Sequence, residues 1–130
     1  MKKIRNGFKL GFYSANIILI ILYLFPGSIF GCFLYDDCYR QPQITRDFII
    51  ISSNHVYAFI ILSLLGIISF NINKIRILFI YLFSISIFLE LCHVLIPKRS
   101  FEYSDLFGNL LGVLLIFTLF NLYQFFKSHR

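Results

Sequence analysis

Four apolar runs, each close to about 20 residues long, take up most of this chain, and they fix its solvent before they fix its fold. They lie at about 8–25, 53–70, 76–96 and 105–126 of the 130 residues. A bilayer hydrocarbon core about 30 Å thick is crossed by roughly 20 apolar residues of helix. With 58% hydrophobic and 14% charged residues, the apolar excess is more than a soluble core of this size can hide. The expected fold is all-α: one domain over residues 1–130, a four-transmembrane-helix bundle with an outer loop at 31–52.

The net charge of +6 is distributed in a way that excludes a nucleic-acid patch. Lys2, Lys3, Arg5, Lys9, Lys74, Arg76, Lys127 and Arg130 sit at the N-terminus, between the second and third runs, and at the C-terminus. Four crossings put those places on one side. The other side carries Arg40, Arg46, Lys98 and Arg99 beside Asp36, Asp37, Asp47, Glu102 and Asp105. Eight basic residues against four, with no acid on the first side, match the positive-inside rule, so both termini are expected in the cytoplasm.

The first run follows a short basic head and should end at Pro26-Gly27, since proline lacks the N–H and clashes with the preceding turn. A cleaved signal peptide is the rival, but the run exceeds the usual apolar length. Ile29-Phe30-Gly31-Cys32 resembles a lipoprotein cleavage box with Phe30 where a small residue belongs. In the outer loop, Cys32 and Cys38 allow two readings: a disulfide closing a small loop, or two free thiols. Ile49-Ile50-Ile51 blurs the start of the second run, with Ser52, Ser53 and Asn54 as candidate N-caps. Gly66 would let a neighbouring helix approach. Pro97 should stop the third run, and Tyr123, Phe125 and Phe126 would form an inner aromatic belt. Cys92 reads as a small buried hydrophobe and His129 as an inert tail residue.

Glu90 to Gly112 carries the polar residues. An acid at mid-membrane costs roughly 2.5 kcal/mol or more, so an ionisable residue within a span is a functional-site hypothesis. Glu90 and His93 are three apart and share a helix face. Asp105 opens the last run, where an acid suits a helix N-terminus. Asp105, Gly108, Asn109 and Gly112 line one face, and Gly108-x-x-x-Gly112 is a helix-contact spacing. His55 begins an inward run, Glu90 and His93 end an outward one, and Asp105 and Asn109 begin another inward one. With Arg99 in the turn between, the six are expected to converge near the outer leaflet.

Glu90-x-x-His93, then Pro97-Lys98-Arg99-Ser100-Phe101, then Asp105-x-x-x-Asn109-x-x-Gly112 resembles the VanZ-like family of small bacterial membrane proteins. Those show an acid-x-x-Gln, a Pro-Gly-Arg turn, an Asp-x-x-x-Asn-x-x-Gly entry to the next span, and an earlier His-Phe-type motif that His55 matches. His93 stands where Gln is usual, Lys98 replaces the turn glycine, and Ile51-Ser52 stands where an Asp-Lys pair is often seen. The resemblance runs from about Ser52 to Leu119. It implies a protein of the bacterial inner membrane associated with glycopeptide (teicoplanin) resistance, and it does not specify a reaction.

Each site residue has a structural and a functional reading. Glu90 is either a buried carboxyl fixing helix register, paired with Arg99 or protonated, or an acid–base group alongside His93. Arg99, beside Lys98, is the natural phosphate contact, because a guanidinium bonds phosphate through two parallel N–H groups. Asp105 would cap its helix and orient Arg99. Asn109 would bond across helices, and Gly66, Gly108 and Gly112 would serve packing. Two histidines and two acids could bind a metal, since imidazole and carboxylate both suit zinc, but there is no H-E-x-x-H helix and no tight ligand pair, so no metal or cofactor is expected. Three functions follow: a site for an anionic envelope lipid or headgroup among membrane lipids, a non-catalytic accessory protein docking a partner, or a small proton-coupled transporter. A homo-oligomer could supply a pathway for the last.

Overall fold

The computed structural model describes residues 2–129, and the side chains from residue 4 onward. Lys2, Lys3 and Arg130, counted above on the basic side, therefore lie outside the described side chains. Five helices follow in order: α1 (Lys2–Leu24), α2 (Ile29–Tyr35), α3 (Ser53–Ser69), α4 (Ile72–Cys92) and α5 (Tyr103–Ser128). The fold is all-α. Three stretches, Ile4–Leu24, Ile72–Cys92 and Tyr103–Ser128, are long and apolar enough to cross a membrane. Their outward faces carry exposed aliphatic and aromatic residues such as Ile18, Ile80, Leu119 and Phe126. Buried Phe59, Leu62, Leu82, Leu89 and Val113 form the apolar core. A surface this apolar around a core that also holds buried His55, Glu90, His93 and Asn109 belongs to a membrane protein. The apolar helix α3 has 17 residues, about 25 Å of rise, shorter than the about 30 Å of a hydrocarbon core.

α3 is central. It packs against α5, α1 and α4. Its closest neighbour is α5, because two glycines remove the side chains that would hold the helices apart. A Cβ on Gly108 would lie 2.7 Å from the Ser52 carbonyl oxygen, and one on Gly112 would lie 2.6 Å from that of Val56. Gly66 on α3 faces side chains instead, the Leu78 methyls at 2.9 Å and the Phe12 ring at 3.2 Å. At one end of the bundle Arg5 donates to Asn71 Oδ1 at 2.6 Å. Phe12 packs edge-on against Phe70 there, and Phe79 lies tilted against Phe120. His55, Glu90, His93, Asp105 and Asn109 lie at the other end.

The third run and the outer loop differ from the sequence reading, and the start of the second run is resolved. The Ile49-Ile50-Ile51 run is not helical. Phe48 and Ile51 exchange two backbone hydrogen bonds at 2.9 and 2.8 Å across a tight turn. α3 then starts at Ser53, whose N–H is capped by Asp47 Oδ1 at 2.9 Å rather than by the Ser52 side chain. The third run, expected at 76–96, is helical from Ile72 to Cys92. Beyond it the backbone tightens into successive three-residue hydrogen bonds, from His93 N–H to Glu90 O through Ile96 N–H to His93 O. The outer loop also holds α2, capped by Ser28 Oγ on Gly31 N–H at 3.0 Å. Cys32 and Cys38 are joined as a disulfide. The segment after it lies so close that a Cβ on Gly31 would overlap the Arg40 carbonyl.

Candidate functional site

The end of α1, the first turn of α3, the last turn of α4 and the first two turns of α5 meet around Tyr23. Its hydroxyl donates to Asn109 Oδ1 at 2.5 Å. His55 Nδ1 lies 2.8 Å from that hydroxyl and 3.0 Å from Asn109 Oδ1. Asn109 is held in this orientation because its Nδ2 donates to the Ser86 carbonyl at 3.1 Å. The other face of His55 meets an acid: Nε2 is 3.3 Å from Asp105 Oδ2. The glycine seam between α3 and α5 sets these distances, since Asp105, Gly108, Asn109 and Gly112 occupy one face of α5.

Glu90 is fully buried and answers to a second group of partners. Its Oε1 accepts the Glu102 N–H at 3.0 Å and lies 3.2 Å from His93 Nδ1. His93 Nε2 is 3.1 Å from the Tyr23 carbonyl oxygen, so His93 stands between two acceptors. Its ring also stacks on that of Tyr23, with centroids 5.5 Å apart. Glu90 Oε2 has no hydrogen-bond partner among the described residues.

Arg99 departs from both pairings expected of it. Glu90 is not its partner, and Asp105 pairs with His55. Arg99 instead donates through Nη2 to the Leu22 carbonyl at 2.9 Å and through Nε to that of Phe25 at 3.4 Å. It thus satisfies the last carbonyls of α1, which have no partner within the helix. Burial pulls its guanidinium below the usual arginine range, while Asp105, Tyr23 and Glu90 act in the opposite sense. An arginine so placed remains a cation.

All six residues expected to converge, His55, Glu90, His93, Arg99, Asp105 and Asn109, lie in this one region. Sequence reasoning missed Tyr23, which touches His55, His93 and Asn109. As one of eight tyrosines at the end of an apolar run, it reads as an interface aromatic. The usable signal is that a buried tyrosine needs a partner for its hydroxyl. No local spacing of histidine and acid marked a metal site. The fold nevertheless brings His55, Glu90 and Asp105 together across three helices, with one ligand atom from each within 4.8 Å of the others.

Two cavities flank the cluster. One, of about 120 Å³, is polar and lined by Ser28, Lys98, Arg99, Glu102 and Asp105 among others. The second, of about 450 Å³, is an apolar groove running past Leu19, Tyr23, Phe30, His55 and Ile61. Arg99 and Ser28 line both. Further grooves between α1 and α4 and between α4 and α5 are lined mainly by lipid-type side chains and lie away from the cluster. Compared with protein-family models, curated proteins and solved structures, the chain finds no match.

Proposed function

We propose that this chain is a VanZ-like protein of the bacterial cytoplasmic membrane that crosses it four times, with both termini in the cytoplasm. Its polar cluster receives an anionic envelope lipid or headgroup near the outer leaflet, and through that ligand it influences susceptibility to teicoplanin. The observation that carries the reading is Arg99 at the join of a polar cavity and an apolar groove. An amphiphile with a phosphate head fits that join, its head against Arg99 and Lys98 and its chain along Leu19, Phe30 and Ile61. The topology is supported by charge: Arg5, Lys9, Lys74, Arg76 and Lys127 fall at the end opposite the cluster. The family reading is supported by backbone at the turn. Lys98, standing where the family carries glycine, has φ 64°, a conformation that glycine adopts freely.

Short-chain phosphatidic acid, compared with the matching neutral diacylglycerol, tests the headgroup by native mass spectrometry of the detergent-solubilised chain. Binding of the acid but not the neutral lipid is expected. Lys98→Ala and Arg99→Gln should each weaken it about 10-fold, the worth of a charged hydrogen bond. Equal binding of both lipids, or unchanged affinity in both variants, would sink the proposal.

A second reading draws on the internal bonding of the cluster. Nearly every polar atom in it has a partner within the chain, so it would serve to fix the register of α1, α3, α4 and α5, as in an accessory protein. Glu90→Gln would then lower folded yield without changing lipid binding or drug susceptibility in the protein that remains.

A further inference from the structure

We propose that His55, Glu90 and Asp105 form a site for one divalent transition-metal cation, of the zinc or manganese type. The ligand atoms come from α3, α4 and α5 and lie within 4.8 Å of one another. Zinc bonds of about 2.0–2.2 Å put tetrahedral ligand atoms roughly 3.3–3.6 Å apart. His55 Nε2 and Asp105 Oδ2, at 3.3 Å, already have that spacing.

The hydrogen bonds around His55 supply the second argument. Asn109 Nδ2 is committed to the Ser86 carbonyl, so Asn109 presents Oδ1, an acceptor, to Tyr23 and His55. If Tyr23 gives its single proton to Oδ1, His55 Nδ1 must be the donor to the oxygens beside it. The opposite assignment sets a bare Nδ1 against a bare Oδ1 at 3.0 Å and leaves that amide oxygen without a donor. With the hydrogen on Nδ1, the neutral ring turns an unprotonated Nε2 toward a carboxylate oxygen. Two lone pairs face each other, and only a proton or a metal cation between them makes the contact favourable. A ring nitrogen fixed by a hydrogen bond while the other faces carboxylates is the arrangement metal-binding histidines adopt.

Glu90 supplies the third. Its Oε1 is held by Glu102 N–H, while Oε2 is buried with no donor, on a residue with 0% exposure. A buried carboxylate oxygen without a partner is costly, and a cation would complete it. Imidazole with two carboxylates suits zinc or manganese. Asp105 also lines the polar cavity, leaving one coordination position for water or an incoming ligand. The three ligands are separate from Lys98 and Arg99, which would hold the lipid head.

The test uses the full chain without a histidine tag, purified in detergent and stripped with dipicolinate. Zinc is then titrated and counted by elemental mass spectrometry, and cobalt is added to the wild type as a spectroscopic probe. One zinc per chain is expected, with visible cobalt absorption typical of a low-symmetry site. Asp105→Asn, only half-buried and so the mildest change, should weaken binding at least on the order of 100-fold. Asn109→Ala, which acts through His55, should weaken it roughly 10- to 100-fold. His129→Ala should retain full stoichiometry. Failure of the wild type to hold an equivalent, or wild-type affinity in Asp105→Asn, overturns the proposal and leaves an imidazolium–carboxylate pair in its place. Lipid binding without zinc would sink this inference alone.

Discussion

Three glycine-to-alanine changes in three surroundings test whether backbone contact between α3 and α5 builds the site. An added Cβ at Gly11 meets nothing within 4 Å. There alanine should raise stability by about 0.5–1 kcal/mol, the helix preference of alanine over glycine. At Gly66 the Cβ meets Leu78 methyl groups at 2.9 Å. Those methyls end a side chain that can turn, so loss and gain should nearly cancel. At Gly112 it meets the Val56 carbonyl oxygen at 2.6 Å and Phe59 Cβ at 2.9 Å, both fixed to the α3 backbone. Relief requires the helices to separate by roughly 0.8 Å to reach ordinary contact. Overpacking of this kind costs about 1–3 kcal/mol. The same separation would stretch the 3.0 Å contact between His55 Nδ1 and Asn109 Oδ1 beyond hydrogen-bonding range. Thermal unfolding in mild detergent should place Gly112→Ala on the order of 5–10 °C below wild type, Gly66→Ala close to it and Gly11→Ala a few degrees above. An order in which Gly66→Ala falls furthest, or in which Gly112→Ala unfolds with the wild type, would refute the reasoning.

Other substitutions separate the hydrogen bonds from the packing. Asn109→Leu takes one of its two partners from the Tyr23 hydroxyl, which keeps His55 Nδ1, and removes the donor to the Ser86 carbonyl in a buried site; it should cost about 1–3 kcal/mol, whereas Tyr23→Phe should cost about 1. The double variant should be less destabilised than the sum of the two, and strict additivity would show that the residues do not interact. Asp47→Ala removes the cap on the Ser53 N–H and should cost about 1 kcal/mol, read as faster amide hydrogen exchange confined to the first turn of α3. Unchanged exchange there would rule out the cap. Ile49 has φ 50° and is fully exposed. Ile49→Gly should raise stability by about 1 kcal/mol, and a loss would mean that the side chain makes a contact worth more than the backbone strain.

What could be read from the sequence was whatever stays within one helix. Glu90 with His93, and Asp105 with Gly108, Asn109 and Gly112, are relations of spacing along a single element, and spacing survives folding. That His55, Glu90, His93, Asp105 and Asn109 fall at one end of the bundle followed from the alternating direction of the apolar runs. Relations between helices were not legible, because nothing in a run states its rotation or register against its neighbour. Arg99 was therefore matched to the nearest acids, although the carbonyls at the end of α1 were the closer claim on its donors. Tyr23 was lost among aromatic residues of the same composition. The Ile49-Ile50-Ile51 run left the start of α3 open, and α2 went unread, for a different reason. In lipid-facing sequence, apolar character marks exposure to acyl chains as readily as it marks a helix, so hydropathy alone does not separate turn, surface helix and span.

The bonds from Arg99 to the end of α1 set a timetable for assembly. Leu22 and its partner are separated by 77 positions. At roughly 5–20 residues per second of synthesis, the carbonyls closing α1 wait about 4–15 s for their donor. The Tyr23 hydroxyl can meet His55 after 32 positions but waits longer for Asn109, 86 positions on. Until the turn before α5 emerges, the last carbonyls of α1 stay without the donors that Arg99 brings. A truncated or stalled chain would thus present an unlatched first helix, a form that membrane proteases could tell from the finished protein.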